Sequence, residues 1–414
     1  MAEGISEAAF EEEARAFLEA NAEPRVEVTS LVWGEGSDEV AVLPEKSPEE
    51  EFSELEAGRA WMQTRFDAGF GWISGPEAYG GRGLGRSFQR LYNELESGFE
   101  TAPQSAFGIG LGMVAPTIAA HGTDEVKEAY LRKMYRGDIV GCQLFSEPEA
   151  GSDLASLQTR AVQDGDEWIV TGQKVWTSGA HLSDIGEVMC RTDPDLPKHK
   201  GLTGFVVDMK APGVEVRPLR QMTGGASFNE VFFTEVRIPD SHRLGDVNGG
   251  WTVALTTLMN ERAAIGGGMG GGGGGLGTQR LIELVRHQGL GKDPLVRQQL
   301  ADIIINGRVA AYTNLRAMAK VAAGQLPGPE MSLGKLTLTA NMLRTSALLS
   351  TVLGPKLVAD SGEWGTYAWS QAILGVPGMR IAGGTDEILH NIIGERVLGL
   401  PKEPQPPVPV AAAR

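Results

Sequence analysis

Residues 142–153 read CQLFSEPEAGSD, an apolar run that ends in a turn rich in Ser, Pro and Gly. Such a turn exposes backbone N–H groups and hydroxyls, which suit a phosphate group or the polar edge of a ring. Further along the chain, residues 172–180 read GQKVWTSGA, where Trp176 offers a flat apolar face for an aromatic heterocycle. The alternative is an ordinary turn between strands together with a core tryptophan.

The segments around these two stretches have the pattern of a β domain over residues 141–243. Short runs of β-branched and aromatic residues are separated by Gly, Pro, Asp and Asn clusters, as in residues 166–180, 202–209, 214–219 and 229–239. This spacing predicts a small antiparallel barrel or sandwich.

Helical signals dominate on both sides of the β region. Thr123 is a predicted N-cap and Gly137 a predicted helix stop, while Asp293 and Pro294 predict the start of a long helix and another is expected from about Ser332. We therefore expect a helical N-terminal domain (1–140), a middle β domain (141–243) and a C-terminal helical bundle (244–401). The Pro-rich tail, residues 402–414, is expected to be disordered.

Composition narrows the classes of partner and compartment. The 414 residues carry a net charge of −16, which argues against nucleic acid or an anionic membrane as the main partner. Only two cysteines occur, Cys142 and Cys190, too few for a disulfide framework and typical of a reducing cytosol. The N-terminus is acidic, unlike a signal peptide, and no apolar run reaches the length of a membrane span. We expect a soluble, cytoplasmic protein without a bound metal.

Four motifs follow one another along the chain: SEPEAGSD (146–153), GQKVWTSGA (172–180), FNEVFFTEVRIP (228–239) and IAGGTDEILHNIIGERVLGLP (381–401). In order and spacing they resemble the signatures of the acyl-CoA dehydrogenase family, over roughly Phe52 to Pro401. The resemblance implies an α+β, mostly α fold, with a helical N-terminal domain, a middle antiparallel β-barrel domain and a C-terminal four-helix bundle. It also implies FAD between these domains and a substrate held as a coenzyme A thioester.

The resemblance assigns residues of the β domain to these ligands. Gln143, Phe145 and Ser146 would border the isoalloxazine of FAD. Trp176 would stack on the flavin, and Ser178 would hydrogen-bond near its N5 atom or the phosphates. Gly151 and Ser152 would reach both FAD and the pantetheine side of the thioester. Glu149 departs from the glycine that the family usually has in this turn.

The C-terminal region supplies the other expected FAD contacts. Arg286 matches the family arginine that pairs with the FAD pyrophosphate across a subunit interface, with Gln298 nearby as a polar partner; an ordinary surface cation is the alternative for Arg286. Thr385 and Glu387 match the turn that meets the adenosine half of FAD. Residues 360–369, DSGEWGTYAW, replace the usual Gln-x-x-Gly-Gly turn.

The position of the catalytic base departs from the family pattern, because Gly383 stands where most family members carry a glutamate. Either the chain is catalytically silent or the base comes from elsewhere. Isovaleryl-CoA dehydrogenase-like and long-chain enzymes place it directly before an arginine, on the first long helix of the C-terminal domain. MNERAAIG (259–266) puts Glu261 and Arg262 there. Glu261 would then face the flavin and Arg262 the pantetheine, since adjacent helical residues diverge by about 100°; a solvated surface pair is the alternative.

A glycine run follows this candidate base. Nine of the ten residues from Gly266 to Gly275 are glycine, and 25 residues separate Glu261 from Arg286, close to the interval in the family. The run therefore replaces helix residues and is not an added tether. Missing side chains would widen the acyl pocket for branched, cyclic or steroid-like groups. Close helix–helix approach or a locally frayed segment explains the run equally well.

The sequence thus predicts an FAD-dependent acyl-CoA dehydrogenase. Glu261 would remove the α-proton while the β-hydrogen leaves as hydride to flavin N5, giving a trans-2-enoyl-CoA. The Gly383 backbone N–H would bind the thioester carbonyl. We expect electron-transfer flavoprotein as the acceptor, and assembly as a homodimer, a homotetramer or a heterotetramer with a homologue. The alternatives are a non-catalytic FAD- or CoA-binding subunit, and a flavin oxidase or monooxygenase on the same fold.

Overall fold

A computed structural model describes residues 5–26, 31–42, 44–266, 277–322, 328–402 and 404. The chain divides into two compact units, each of which is described by itself. One comprises Met1–Glu35 and Leu43–Glu261, and the other Gly36–Val42 and Arg262–Arg414. Most of the glycine run and nearly all of the Pro-rich tail lie outside the described residues, so the predictions about both stay predictions.

The first unit opens with helices, whose ends follow local sequence signals. They are α1 Glu7–Asn21, α2 Pro48–Asp67, α3 Arg86–Glu96, α4 Ala115–His121 and α5 Asp124–Arg136. At the start of α5 the Thr123 side chain accepts a hydrogen bond from the Val126 N–H, and Gly137 ends the helix at φ 84°. A left-handed residue closes a helix at little cost only if it is glycine. The predicted start and stop of this helix are confirmed.

The strands form one large sheet and a small two-stranded pair. They are β1 Glu23–Pro24, β2 Phe99–Glu100, β3 Gly141–Leu144, β4 Arg160–Asp164, β5 Glu167–Ser178, β6 Ile185–Arg191, β7 Leu202–Asp208, β8 Val214–Leu219, β9 Phe228–Pro239 and β10 Arg243–Leu244. The large sheet has the order β10-β7-β6-β4-β5-β9-β8, and β3 pairs with β6. Its pairings are antiparallel except those of β6 with β3 and β4, which are parallel.

Alternation along the strands gives the large sheet two apolar faces. On β6, Val188 and Cys190 belong to the core of the β region together with Phe205 and Phe233. Met189, on the opposite face, packs with Phe145 and Ala254. Ala254 belongs to α6, Gly250–Gly266, so the helix that carries Glu261 covers part of this face, beside residues of α4 and α5.

The second unit is a helical bundle. Its helices are α7 Thr278–His287, α8 Pro294–Ala322, α9 Ser332–Leu353, α10 Trp369–Ile381 and α11 Asp386–Arg396, and α9 packs against α8, α10 and α11. The Asp293 carboxylate accepts hydrogen bonds from the Leu295 and Val296 N–H groups, which confirms the predicted start of α8. The predicted order of helical, β and helical regions is confirmed. Among the described helices, none has the length and apolar character needed to cross a membrane.

Candidate active site

The motif turn 146–153 is fastened to strand β5 by backbone hydrogen bonds. The Val175 N–H donates to the Ser146 carbonyl at 2.9 Å, and Glu147 and Ala150 exchange two hydrogen bonds of 3.1 Å. Gly151 and Ser152 follow on the exposed side of the turn, and a Cβ atom at Gly151 would have no heavy atom within 4 Å. The turn therefore presents open backbone next to residues 175–176, as a ligand site requires.

An ion pair buried under this turn connects it to β5. Lys174 is fully buried and Glu147 is 7% exposed, and the Lys174 Nζ lies 2.8 Å from Glu147 Oε1. The same carboxylate accepts hydrogen bonds from the backbone N–H groups of Gln158 and Thr159. Burial raises the pKa of Glu147, but the Lys174 charge and these hydrogen bonds outweigh burial and hold the pKa below its ordinary value.

Trp176 lies at an irregularity of β5. The pairing with β9 shifts register between Lys174 and Thr177, and Trp176 adopts φ 61° with 56% of its surface exposed. A bulky side chain in the left-handed region costs about 1–3 kcal/mol, and such strain concentrates at ligand sites. The ring contacts Phe228 edge-on at 6.0 Å between centroids. The core tryptophan that was the alternative interpretation is therefore wrong for Trp176.

The remaining predicted residues of the first unit lie along the same region. Gln143 is half-buried on β3, Phe145 is buried just after it, and Ser178 is half-buried at the end of β5. The Lys174 Nζ donates to the Phe145 carbonyl at 3.1 Å, which links β3 to the strand of Trp176. Glu149 is exposed. The structure thus brings the predicted flavin residues of the two β motifs together.

Glu261 and Arg262 are half-buried residues of α6. Glu261 lies one turn after Thr257, which is fully buried. The helix α6 continues through this stretch to Gly266, and the neighbouring Asn260 side chain donates to the Thr256 carbonyl at 3.0 Å.

In the second unit, the turn between α10 and α11 is held by a buried lysine. Lys335 Nζ donates to the Arg380 and Gly384 carbonyls at 2.7 and 2.8 Å and pairs with Asp386 at 3.0 Å. Gly383 has φ 65°. Because that conformation favours glycine, the backbone here suits Gly383 and would strain a glutamate at this position.

The other predicted FAD residues of the second unit are more exposed. Arg286 pairs with Glu283 at 2.7 Å and keeps 65% of its side chain exposed. Gln298 is exposed, whereas the buried Oε1 of its neighbour Gln299 has no hydrogen-bond partner in the described part of the chain. Thr385 caps α11 by accepting from the Ile388 N–H, and Glu387 is exposed in the first turn of that helix.

The segment that replaces the usual Gln-x-x-Gly-Gly turn packs against an early part of the chain. Trp364 Nε1 donates to the Gly36 carbonyl at 2.9 Å, and the Gly365 N–H donates to Asp38 at 3.0 Å. The Arg280 guanidinium lies 5.0 Å from the ring centroid of Trp364. Residues 36–42 therefore belong structurally to the helical bundle.

Three models of known protein domains match successive parts of the chain. Residues 6–138, 142–236 and 248–398 match the N-terminal, middle and C-terminal domains of acyl-CoA dehydrogenase. The chain belongs to the acyl-CoA dehydrogenase family. This membership confirms the predicted fold and enzyme class.

Relatives of this acyl-CoA dehydrogenase include two proteins of Mycobacterium tuberculosis. The chain is 38% identical to acyl-CoA dehydrogenase IpdE1, over 86% of this chain and 91% of the relative. It is 40% identical to acyl-CoA dehydrogenase FadE34 over 79% of this chain, which spans only 44% of that longer protein.

Solved structures show the same fold. The structure titled Tcur3481-Tcur3483 steroid ACAD matches with a TM-score of 0.70 and 27% identity, over 96% of this chain and 99% of that one. The ChsE4-ChsE5 complex from Mycobacterium tuberculosis matches with a TM-score of 0.68 and 25% identity, over 97% and 100% of the two chains.

The structure also reveals residues of this acyl-CoA dehydrogenase that sequence reasoning missed. Glu147, Lys174 and Lys335 support the predicted ligand turns, and Gln299 offers a buried amide oxygen beside the predicted Gln298. Lys174 stands directly before the apolar pair Val175 and Trp176, and this is a signal that the sequence offered. Charged residues are almost never fully buried without a partner.

Proposed function

We propose that this chain is an FAD-dependent dehydrogenase that oxidises the α,β bond of an acyl-CoA thioester, with Glu261 as the base. The observation that supports Glu261 as the base is the location of its carboxylate. Glu261 lies half-buried in helical α6, while the position used by most relatives is a left-handed glycine, Gly383. Glu261 therefore replaces the missing glutamate, which favours an active enzyme over a silent one.

The residues of the first unit fit FAD. Trp176 offers an exposed ring at a strained position, and the turn at Gly151 offers open backbone. These are the features that a planar heterocycle and its polar edge require. The residues that would hold FAD are Gln143, Phe145, Ser146, Gly151, Ser152, Trp176, Ser178, Arg286, Gln298, Thr385 and Glu387. When bound, FAD supplies the acceptor for the hydride that leaves the β-carbon.

The proton chemistry belongs to the chain itself. The Glu261 carboxylate accepts the α-proton of the thioester as general base. A carboxylate is too weak a base for this step unless the enolate oxygen is stabilised, and the Gly383 N–H donates to that oxygen. Arg262 and Ser152 bind the pantetheine side of the substrate and so orient the α-carbon towards Glu261.

Substrate class and partners follow from the relatives. Because a structural neighbour at 27% identity is titled a steroid ACAD, we propose a branched or polycyclic acyl group, including a steroid-like one. The paired names in both structure titles favour a heteromeric assembly over a simple homotetramer. Electron-transfer flavoprotein is the proposed electron acceptor.

Anaerobic flavin bleaching tests the proposal. The FAD-loaded protein is mixed with straight, branched and polycyclic acyl-CoAs, and the flavin absorbance is followed. We expect bleaching with at least one of them, its loss in Glu261→Gln, and its retention in Glu128→Gln, a control that removes an exposed carboxylate from α5.

Three other outcomes would contradict the proposal or part of it. Bound FAD that no thioester bleaches would overturn the dehydrogenase and favour a non-catalytic subunit. Bleaching that Glu261→Gln retains would place the base elsewhere. Rapid production of peroxide in air would favour an oxidase.

A further inference from the structure

Glu187 is a fully buried carboxyl group outside the residues assigned above. It lies on β6, and its Oε1 is 2.7 Å from the Thr257 hydroxyl. Its Oε2 has no hydrogen-bond partner in the described part of the chain. An ionised carboxylate buried in this way leaves a charge uncompensated, which costs several kcal/mol.

The place of Glu187 in the sheet puts it beneath α6. Val188 and Cys190 face the core of the β region, so Glu187 shares the opposite face with Ile185 and Met189. That face packs against Val253 and Ala254 of α6. In the parallel register, Gln143 of β3 is the partner of Glu187.

A chain of hydroxyls runs from Glu187 into α4. The Thr257 and Thr117 hydroxyl oxygens are 2.8 Å apart, and the Thr117 hydroxyl donates to the Met113 carbonyl at 2.9 Å. The Thr257 hydroxyl donates to Glu187 Oε1, so a proton on the other oxygen, the unpartnered Oε2, neutralises the carboxyl group without breaking that hydrogen bond. Burial raises the pKa of Glu187 to about 8, which agrees with a neutral acid at neutral pH.

We propose that Glu187, in its protonated form, is a positioning residue that fixes α6 for the base Glu261. Thr257 precedes Glu261 by four residues, so the two side chains leave the same face of the helix one turn apart. The hydrogen bond between Thr257 and β6 sets the rotation of α6, and with it the direction of the Glu261 carboxylate. This inference rests on the proposed function.

Ionisation of Glu187 would undo this arrangement. The titratable or charged groups on the elements around it are Cys142 of β3, Arg160 and Asp164 of β4, Cys190 and Arg191 of β6 itself, Asp208 of β7, His121 of α4, and Glu261 and Arg262 of α6. The Glu187 carboxyl group accepts a hydrogen bond from the Thr257 hydroxyl. Among the described residues, no charged group forms an ion pair with Glu187. Loss of the proton therefore creates a buried charge on the face that carries the base, and flavin reduction should slow as pH rises through about 8.

The experiment measures flavin reduction in the FAD-loaded protein, using an acyl-CoA that bleaches the wild type. Glu187→Gln keeps a neutral hydrogen-bonding group, whereas Glu187→Leu and Thr257→Val remove one partner each at nearly constant volume. We expect both removals to slow reduction at least about tenfold with unchanged acyl-CoA Kd, because a misdirected base costs rate and not binding. Glu187→Gln should keep most of the rate and lose the decline at alkaline pH.

Thermal unfolding of the apoprotein supplies a readout without catalysis. A carboxyl group whose pKa rises on folding makes stability fall as pH increases from about 4.5 to about 8. The wild-type Tm should therefore drop more than that of Glu187→Gln between pH 6 and pH 8. Equal drops in both proteins would overturn the protonated state and the inference with it.

The outcomes distinguish a failure of this inference from a failure of the proposed dehydrogenase function. If the wild type does not bleach, the proposed function fails and the inference falls with it. If the wild type bleaches and both Glu187→Leu and Thr257→Val reduce at its rate, only the positioning role of Glu187 is overturned.

Discussion

The Lys174 ammonium lies 2.8 Å from the Glu147 carboxylate in a buried ion pair that ties the motif turn to strand β5. The lysine precedes Trp176 by two residues, and the glutamate follows Ser146 directly. Two parts of the candidate flavin site are therefore held in place by one interaction. The Gln158 and Thr159 N–H groups donate hydrogen bonds to the two oxygens of the Glu147 carboxylate. A buried ion pair requires such additional hydrogen bonds.

Lys174→Met should break this pair and leave the Glu147 charge buried without its partner. We expect the free energy of unfolding to fall by about 3–5 kcal/mol, the usual cost of removing one partner. Arg15→Met is the control, since it breaks an exposed pair with Glu11 on α1 and should cost at most about 1 kcal/mol. Chemical denaturation measures both; equal small losses would contradict the assigned role of the buried pair.

The stability of the protein at acidic pH provides a second test of the Glu147 carboxylate. The pKa of Glu147 is lowered in the folded protein from its ordinary value of 4.5. Its contribution to stability is therefore present above pH 4.5 and is lost as pH falls through the lower folded pKa. Glu147→Gln should lose part of this acid dependence when Tm is measured between pH 6 and pH 3. An unchanged acid profile in Glu147→Gln would argue against the assignment.

Trp176→Gly should separate backbone strain from ligand binding. Glycine adopts φ 61° freely, so the apoprotein should be as stable as the wild type or more so. The affinity for FAD, titrated by flavin fluorescence, should fall at least about tenfold because the stacking ring is gone. Glu235→Gly, at φ 51° on β9, relieves similar strain and should leave FAD affinity unchanged. Equal FAD affinity in both variants would remove Trp176 from the flavin site.

Sequence reasoning reached the fold because its signals are local. The Thr123 cap, the Gly137 stop and the start of α8 at Asp293 each depend on a few consecutive residues. The order of helical and β regions, read from periodicity and the motifs, is likewise confirmed.

Sequence reasoning did not find the supporting residues, because their partners are distant in sequence. Glu147 and Lys174 are 27 residues apart, and Glu187 and Thr257 are 70 apart. Trp364 and Gly36 are separated by 328 residues. The strain at Trp176 depends on the register that β9 imposes on β5, which no pattern within β5 indicates.

Lys335→Met should loosen the turn that holds Gly383. The Asp386 carboxylate accepts hydrogen bonds from Lys335, Thr339 and Arg380. Burial raises the pKa of Asp386, but these donors outweigh it and lower the pKa overall. Loss of the Lys335 charge should reduce the free energy of unfolding by about 3 kcal/mol or more. It should also slow flavin reduction, because the turn that presents the Gly383 N–H loses two carbonyl anchors.

The matched control is Lys320→Met, which removes an exposed pair with Glu330 in the same unit. Both variants are compared by chemical denaturation and by anaerobic bleaching. If Lys335→Met loses stability but its folded fraction reduces FAD at the wild-type rate, the lysine supports the bundle and not the active turn.

Subunit assembly should depend on an apolar face of α8. Ile305, Val309, Tyr312 and Leu315 lie three or four residues apart and are 54–68% exposed, so they form one stripe on the helix. A stripe of this kind normally packs against another protein surface. Val309→Lys should therefore shift the sedimenting species of the chain towards monomer. Val162→Lys changes the same residue type at the same 54% exposure on β4 and should leave the assembly intact; an unchanged sedimentation pattern in Val309→Lys would exclude this stripe as the interface.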